Sequence, residues 1–224
     1  MASGYDGLGA AGTQIDAGHE ARDRREAGGS ERSRGERDDR SFEWDPSRRG
    51  GGVVTAVRLL VVMGVAGCGK STVAAALAEA LGGSFVDGDA LHPPENIAKM
   101  SRGEALSDAD RWPWLERFGA VIAGRGGRVV GACSSLKRAY RDRIRAAAGE
   151  PVLFVHLDGS RELIAGRMAA RRGHFMPTSL LDSQFAALER LGPDEEAVVA
   201  DISGDPEAVL AGILASLEGR LAGS

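Results

Sequence analysis

The chain has 224 residues and a net charge of −4 from 28 basic and 32 acidic residues, which gives no global electrostatic case for binding nucleic acid. No apolar run reaches the roughly 18 residues of a membrane span, and the N-terminus lacks the apolar stretch of a signal peptide. Two cysteines, Cys68 and Cys133, make no disulfide framework, so the expectation is a cytoplasmic protein with neither nucleic acid nor membrane as partner.

Residues 1–52 hold 11 glycines, 20 charged residues of mixed sign and only six large apolar residues. A segment this poor in apolar surface cannot offset its ordering entropy, so it is expected to be a disordered tail. An interaction arm, or a start-site error with the true start near Val53 or Val54, are the other readings of it. Residues 53–224 are expected to form the single folded domain.

From Val53 five apolar runs follow one another: "VVTAVRLLVVMG", "GSFVDGD", "RVVGACS", "PVLFVHLD" and "AVVADIS". Short continuous apolar runs bounded by turn residues predict strands buried on both faces. Helical patterns lie between them. "KSTVAAALAEALG" closes on a glycine, and a helix from Ser107 to about Ala123 needs its Pro113 near the first turn. "SLKRAYRDRIRAAAG", "SRELIAGRMAARR", "SLLDSQFAALERL" and "DPEAVLAGILASLEGRL" complete the set. Alternating strands and helices predict an α/β fold, a parallel sheet covered on both faces in three α/β/α layers.

The first strand leads into "GVAGCGKS", which matches G-x-x-x-x-G-K-[ST] in full and opens a helix. Gly64, Val65, Ala66, Gly67, Cys68 and Gly69 supply the curled backbone whose N–H groups face phosphate oxygens. Lys70 reaches the β- and γ-phosphates, the Ser71 hydroxyl ligates Mg²⁺, and Thr72 is counted with the nucleotide-binding residues of the first helical turn. Cys68 lies where local positive potential would lower a thiol pKa, although a passive small residue is the simpler reading. The third strand ends in "GACSS" without an aspartate, and no N-K-x-D stretch is present, which disfavours a GTPase.

The second strand ends in "DGD" at the carboxyl edge of the sheet, where ligands of such folds bind. Phosphoryl transfer to an alcohol needs a carboxylate to orient the hydroxyl and accept its proton; Asp89 is assigned that role, with Asp87 nearer the metal. "HPPENIAKM" reads as a short helix started by prolines. Asn96 and Lys99 share one face, with His92 at its entrance, while Ile97 and Met100 are expected to pack inward. An amide and a cation beside two acids suit a polyhydroxy acid. Only three of the 28 basic residues are lysines, Lys70, Lys99 and Lys137, so each survives where a compact ammonium serves better than a guanidinium. Ser134, Ser135 and Lys137, after the third strand, are expected to face the cleft, with Arg138 beside them.

The stretches "MGVAGCGKSTVAAALAEALG", "DGDALHPPENIAKMSRGEALSDADRWPWL", "ACSSLKRAYRDRIR" and "GHFMPTSLLDSQFAALE" resemble bacterial-type gluconokinases from about Leu59 to Leu191. The resemblance implies the fold of nucleoside-monophosphate kinases and shikimate kinase, with a five-stranded parallel sheet. It implies transfer of the ATP γ-phosphate to the 6-hydroxyl of D-gluconate, with Mg²⁺, and it admits a homodimer. Asp87 and Asp89 would then meet acceptor hydroxyls and metal-bound water. The substrate carboxylate has six candidates: Lys99, Arg102, Arg111, Lys137, Arg138 and Arg141. In kinases of this shape a lid supplies arginines to the transferring phosphate. It is expected near 167–178, with Arg171 stabilising charge and Arg167 lying over the adenine. Ser183 and Gln184 are loosely held substrate candidates. "DISGDPEA" is the expected adenine segment. The competing readings are a kinase of shikimate or another polyhydroxy acid, and a nucleotide-binding regulator without turnover.

Overall fold

The structure, a computed structural model, describes residues 57–170 and 178–221. Five strands alternate with helices as the hydrophobic pattern predicts: β1 (Leu59–Met63), β2 (Ser84–Asp87), β3 (Val129–Ala132), β4 (Val152–Asp158) and β5 (Ala197–Asp201). They form one parallel sheet in the order β2-β3-β1-β4-β5. The helices among the described residues are α1 (Lys70–Ala80), α2 (Pro94–Ser101), α3 (Asp108–Ala123), α4 (Arg138–Ala148), α5 (Arg161–Ala170), α6 (Thr178–Ala187) and α7 (Pro206–Leu217).

Side chains alternate across a strand, so the central strand feeds two cores. Leu60 and Val62 of β1 join Leu77 of α1, Ile164 of α5 and Ile213 of α7. Leu59, Val61 and Met63 join Leu115 and Phe118 of α3 and Ile144 of α4 on the other face. All five β1 residues are fully buried, which is why that strand shows no polar alternation. The expected three-layer α/β/α architecture is therefore present. No described helix is long and apolar enough to cross a membrane.

Helix α3 departs from one expectation. Ser107 caps it: its Oγ accepts from the Asp110 N–H, and the Asp110 carboxylate accepts from the Ser107 N–H. This reciprocal cap fixes the start at Asp108, so Pro113 falls in the second turn rather than the first. The flanking Trp114 and Leu115 are buried in the core, and that packing holds the helix through the missing N–H.

Candidate active site

Three strand ends build the site. The segment leaving β3 lies between the other two: the Gly88 N–H donates to Ala132 O at 2.8 Å, and the Gly64 N–H to Ser134 O at 3.3 Å. One short stretch of chain thus fixes both the start of the phosphate loop after β1 and the "DGD" turn after β2. A side chain at position 88 would meet Ala132 O at 2.5 Å, so that approach requires glycine. Ser135 is the only non-glycine among the described residues with positive φ, at 45°. Strain of this kind persists where surrounding structure imposes it.

The loop curls through left-handed glycines, Gly67 at φ 82° and Gly69 at φ 99°, conformations that other residues adopt only at a cost. Gly69 ends the loop and Lys70 opens α1 with no side chain capping it. That leaves first-turn N–H groups directed at the loop, the arrangement that binds anions. Lys70 Nζ donates to Val65 O at 3.0 Å, and the Ala66 N–H donates to Gln184 Oε1 of α6 at 2.6 Å. Met168 of α5 closes over the loop; a side chain at position 67 would meet its Cγ at 2.4 Å. Ser71 and Thr72 are exposed at the start of α1. Burial pushes the Cys68 thiol pKa up, outweighing the nearby Lys70. The side chain is packed into the core, which agrees with the reading of Cys68 as a passive small residue and not with a lowered thiol pKa. Cys133 is pushed up to about 12, again by burial, and the charges of both Asp89 and Lys70 reach it.

On the acceptor side, the Asp89 N–H donates to Asp87 Oδ1 at 3.0 Å, and the Gly88 carbonyl accepts from Trp114 Nε1 at 2.7 Å. His92 stacks on Trp114 with ring centroids 4.1 Å apart. Its pKa is lowered first by burial and then by Arg111, against the raising effect of Asp89. Asn96 is buried and donates to Asp110 O at 2.9 Å, with His92 Nδ1 at 3.4 Å. His92 and Asn96 are therefore held against α3, through Trp114 and Asp110. The expected face of α2 is inverted: Ile97 and Met100 are 52% and 43% exposed while Asn96 is buried. The physical reason is Asp110, whose carbonyl and carboxylate draw Asn96 and Lys99 against α3.

The six candidate cations separate clearly. Lys99 is bound to both oxygens of Asp110, Arg102 to both of Glu104, and Lys137 to both of Asp108. Arg138 pairs with Asp194 at 3.0 and 2.5 Å. Arg141 is fully buried against Glu195 and three carbonyls within 3.4 Å, those of Ser135, Leu136 and Glu189. That burial rules Arg141 out as a carboxylate ligand. Arg111 donates to the Tyr140 hydroxyl at 3.3 Å and lies 3.6 Å from Asp108. Asp108 already accepts from Lys137 and Tyr140, which hold its pKa below the usual carboxylate range. Arg167 donates to Ile202 O at 2.6 Å, which places it on the segment expected to hold adenine. Arg171 lies outside the described residues. Gln184, a loosely held substrate candidate, contacts the phosphate loop through the Ala66 N–H.

Comparison with known proteins agrees with this geometry. The family model described as an AAA domain matches residues 59–191. A gluconokinase of Gluconobacter oxydans is 52% identical over 146 residues, covering 63% of this chain and 80% of the relative. The thermosensitive gluconokinase of Escherichia coli is 49% identical over 152 residues, covering 65% and 79%. The crystal structure of a gluconokinase from Sinorhizobium meliloti superposes with a TM-score of 0.67 at 49% identity, covering 71% of this chain and 91% of that one. With a phosphate loop, an acid turn at the adjoining strand end and relatives of this similarity, the chain belongs to the gluconokinase family of P-loop kinases.

Proposed function

We propose that the chain transfers the γ-phosphoryl group of ATP to the 6-hydroxyl of D-gluconate, forming 6-phospho-D-gluconate in the cytoplasm. The observation that carries this reading is the β3 exit segment, which ties the phosphate loop and the acid turn together at one sheet edge. Donor and acceptor are then held side by side, as an in-line transfer requires.

Lys70 exchanges the Val65 carbonyl for the β- and γ-phosphates. Asp89 orients the acceptor hydroxyl and takes its proton. Arg111 binds the substrate carboxylate, because its own protein contacts, to Tyr140 at 3.3 Å and to Asp108 at 3.6 Å, are longer than those that hold the other five candidate cations. Lys137 and Lys99 act indirectly, through Asp108 and Asp110, by fixing the α3 terminus that carries Arg111. Arg167 lines the adenine, and Arg171 is retained as the arginine for the transferring phosphate.

No group of three or more His, Cys, Asp or Glu side chains among the described residues forms a metal cage. Mg²⁺ bound with a nucleotide takes only one or two protein ligands, so the Ser71 hydroxyl and the Asp87 carboxylate fit it. When bound, it would neutralise charge on the phosphates.

Asp89→Asn tests the reading. The substitution is expected to lower kcat at least about a hundredfold while nucleotide affinity, measured by calorimetry, is retained. Unchanged turnover would remove Asp89 from the reaction.

A further inference from the structure

We infer that Tyr140 is a positioning residue for the acceptor: its hydroxyl keeps Arg111 from closing onto Asp108 and so leaves that guanidinium available to the substrate carboxylate. The inference rests on the reading of Arg111 as the carboxylate ligand. Its observation is a triangle of three atoms. Tyr140 Oη donates to Asp108 Oδ1, and Arg111 Nη1 donates to that same hydroxyl at 3.3 Å. Arg111 Nη1 also stands 3.6 Å from the same Oδ1.

The triangle lies within a helical turn of the acid turn's anchor. Arg111 precedes Trp114 by three residues, so the two share a face of α3 one turn apart. Trp114 Nε1 donates to the Gly88 carbonyl. Tyr140 comes to Arg111 from α4. It is only 4% exposed, and Trp112 packs edge-on to its ring with centroids 5.5 Å apart, so the hydroxyl has little freedom to leave. Burial, followed by the bond to Asp108, raises its pKa. The group therefore stays protonated at neutral pH and able to donate.

An arginine and an aspartate three residues apart on one helix are placed to pair. A closed pair would set an internal carboxylate against the incoming one. Charge-assisted bonds of this kind close to about 2.7–2.9 Å, so at 3.6 Å the pair is open. The reason is that Asp108 is already filled. Lys137 Nζ donates to its two oxygens at 3.0 and 2.8 Å, and the Tyr140 hydroxyl donates to Oδ1. The hydroxyl thus acts twice through one atom: its proton occupies Asp108, and its oxygen offers Arg111 a neutral acceptor. A substrate carboxylate displaces a neutral acceptor more readily than a charged one.

Two variants of the full chain test this. Tyr140→Phe removes only the oxygen. Tyr140→Phe combined with Asp108→Asn keeps an amide oxygen that accepts from Lys137 but removes the charge that attracts Arg111. ADP release with MgATP and D-gluconate gives KM and kcat. Tyr140→Phe is expected to raise KM for gluconate about two- to tenfold, the scale of one hydrogen bond, while kcat at saturating gluconate holds. Adding Asp108→Asn should bring KM back towards the parent value, whereas a purely structural loss would be deepened by the second substitution. An unchanged KM in Tyr140→Phe, or a double variant no better than the single one, overturns the inference. Arg111→Leu, measured alongside, separates the two readings: if it leaves KM for gluconate unmoved, the carboxylate assignment fails and the inference falls with it.

Discussion

Lys99 and Asp110 form a two-pronged ion pair, with Nζ 2.7 and 2.8 Å from the two carboxylate oxygens. The pair ties α2 to the start of α3, where Asp110 also closes the cap on Ser107. Lys99, followed by the Ser107 bonds, holds the Asp110 pKa down at about 2, against a usual 3.8. A depressed carboxylate contributes stability above its unfolded value and loses it as pH falls through the folded value. Lys99→Met should therefore lower the thermal midpoint near neutral pH, and the gap to the parent chain should close as pH falls from about 4 towards 2. Thermal melts across that range check the sign. A gap that stays constant would mean the pair contributes nothing through charge.

This pair also marks where the sequence ceased to be legible. Strand and helix identities could be read, because buried strands and a phosphate loop announce themselves within a few consecutive residues. Asp87 and Asp89 were placed by the strand end alone. The burial of α2 was not readable from its own eight residues, since the face that turns inward is chosen by Asp110, 14 residues after Asn96. The same holds for Arg141, whose partner Glu195 is 54 residues away. Spacing along one helix reports which residues share a face, but not which face the rest of the chain claims.

Arg141 and Glu195 form an ion pair with side chains 0% and 1% exposed. Arg141, the largest influence, holds the Glu195 pKa at about 2. Arg141→Met leaves that carboxylate buried with Arg145 at 3.1 Å as its remaining cation. The expected loss is about 3 kcal/mol in urea denaturation, the low end for breaking a buried pair, because Arg145 compensates in part. Adding Glu195→Leu should restore much of the loss. A single variant as stable as the parent would show that the pair is dispensable.

Arg111 is assigned the substrate carboxylate because its contacts, to Tyr140 at 3.3 Å and Asp108 at 3.6 Å, are longer than those of its five rivals. Arg111→Leu should raise KM for gluconate about ten- to a hundredfold, the scale of one charge-assisted bond. KM for ATP should not move. A change in both constants would place Arg111 in the scaffold shared by the two subsites.

Cys68 and Cys133 are each 1% exposed, and burial raises both thiol pKa values. Thiolate is the reactive form, so the folded chain should resist iodoacetamide at neutral pH while the urea-unfolded chain takes two labels. Mass spectrometry distinguishes the outcomes. Rapid labelling of Cys68 in the folded chain would mean the phosphate loop opens far more readily than its packing under Met168 implies.

The most direct measurement is ADP release by the purified chain with MgATP, supplied in turn with D-gluconate, shikimate, other sugar acids, AMP and no acceptor. The predicted result is release above background with D-gluconate alone. Release with a different acceptor while gluconate stays inert, or tight ATP binding with no turnover on any of them, would contradict the assignment of the acid turn and Arg111 to a gluconate site.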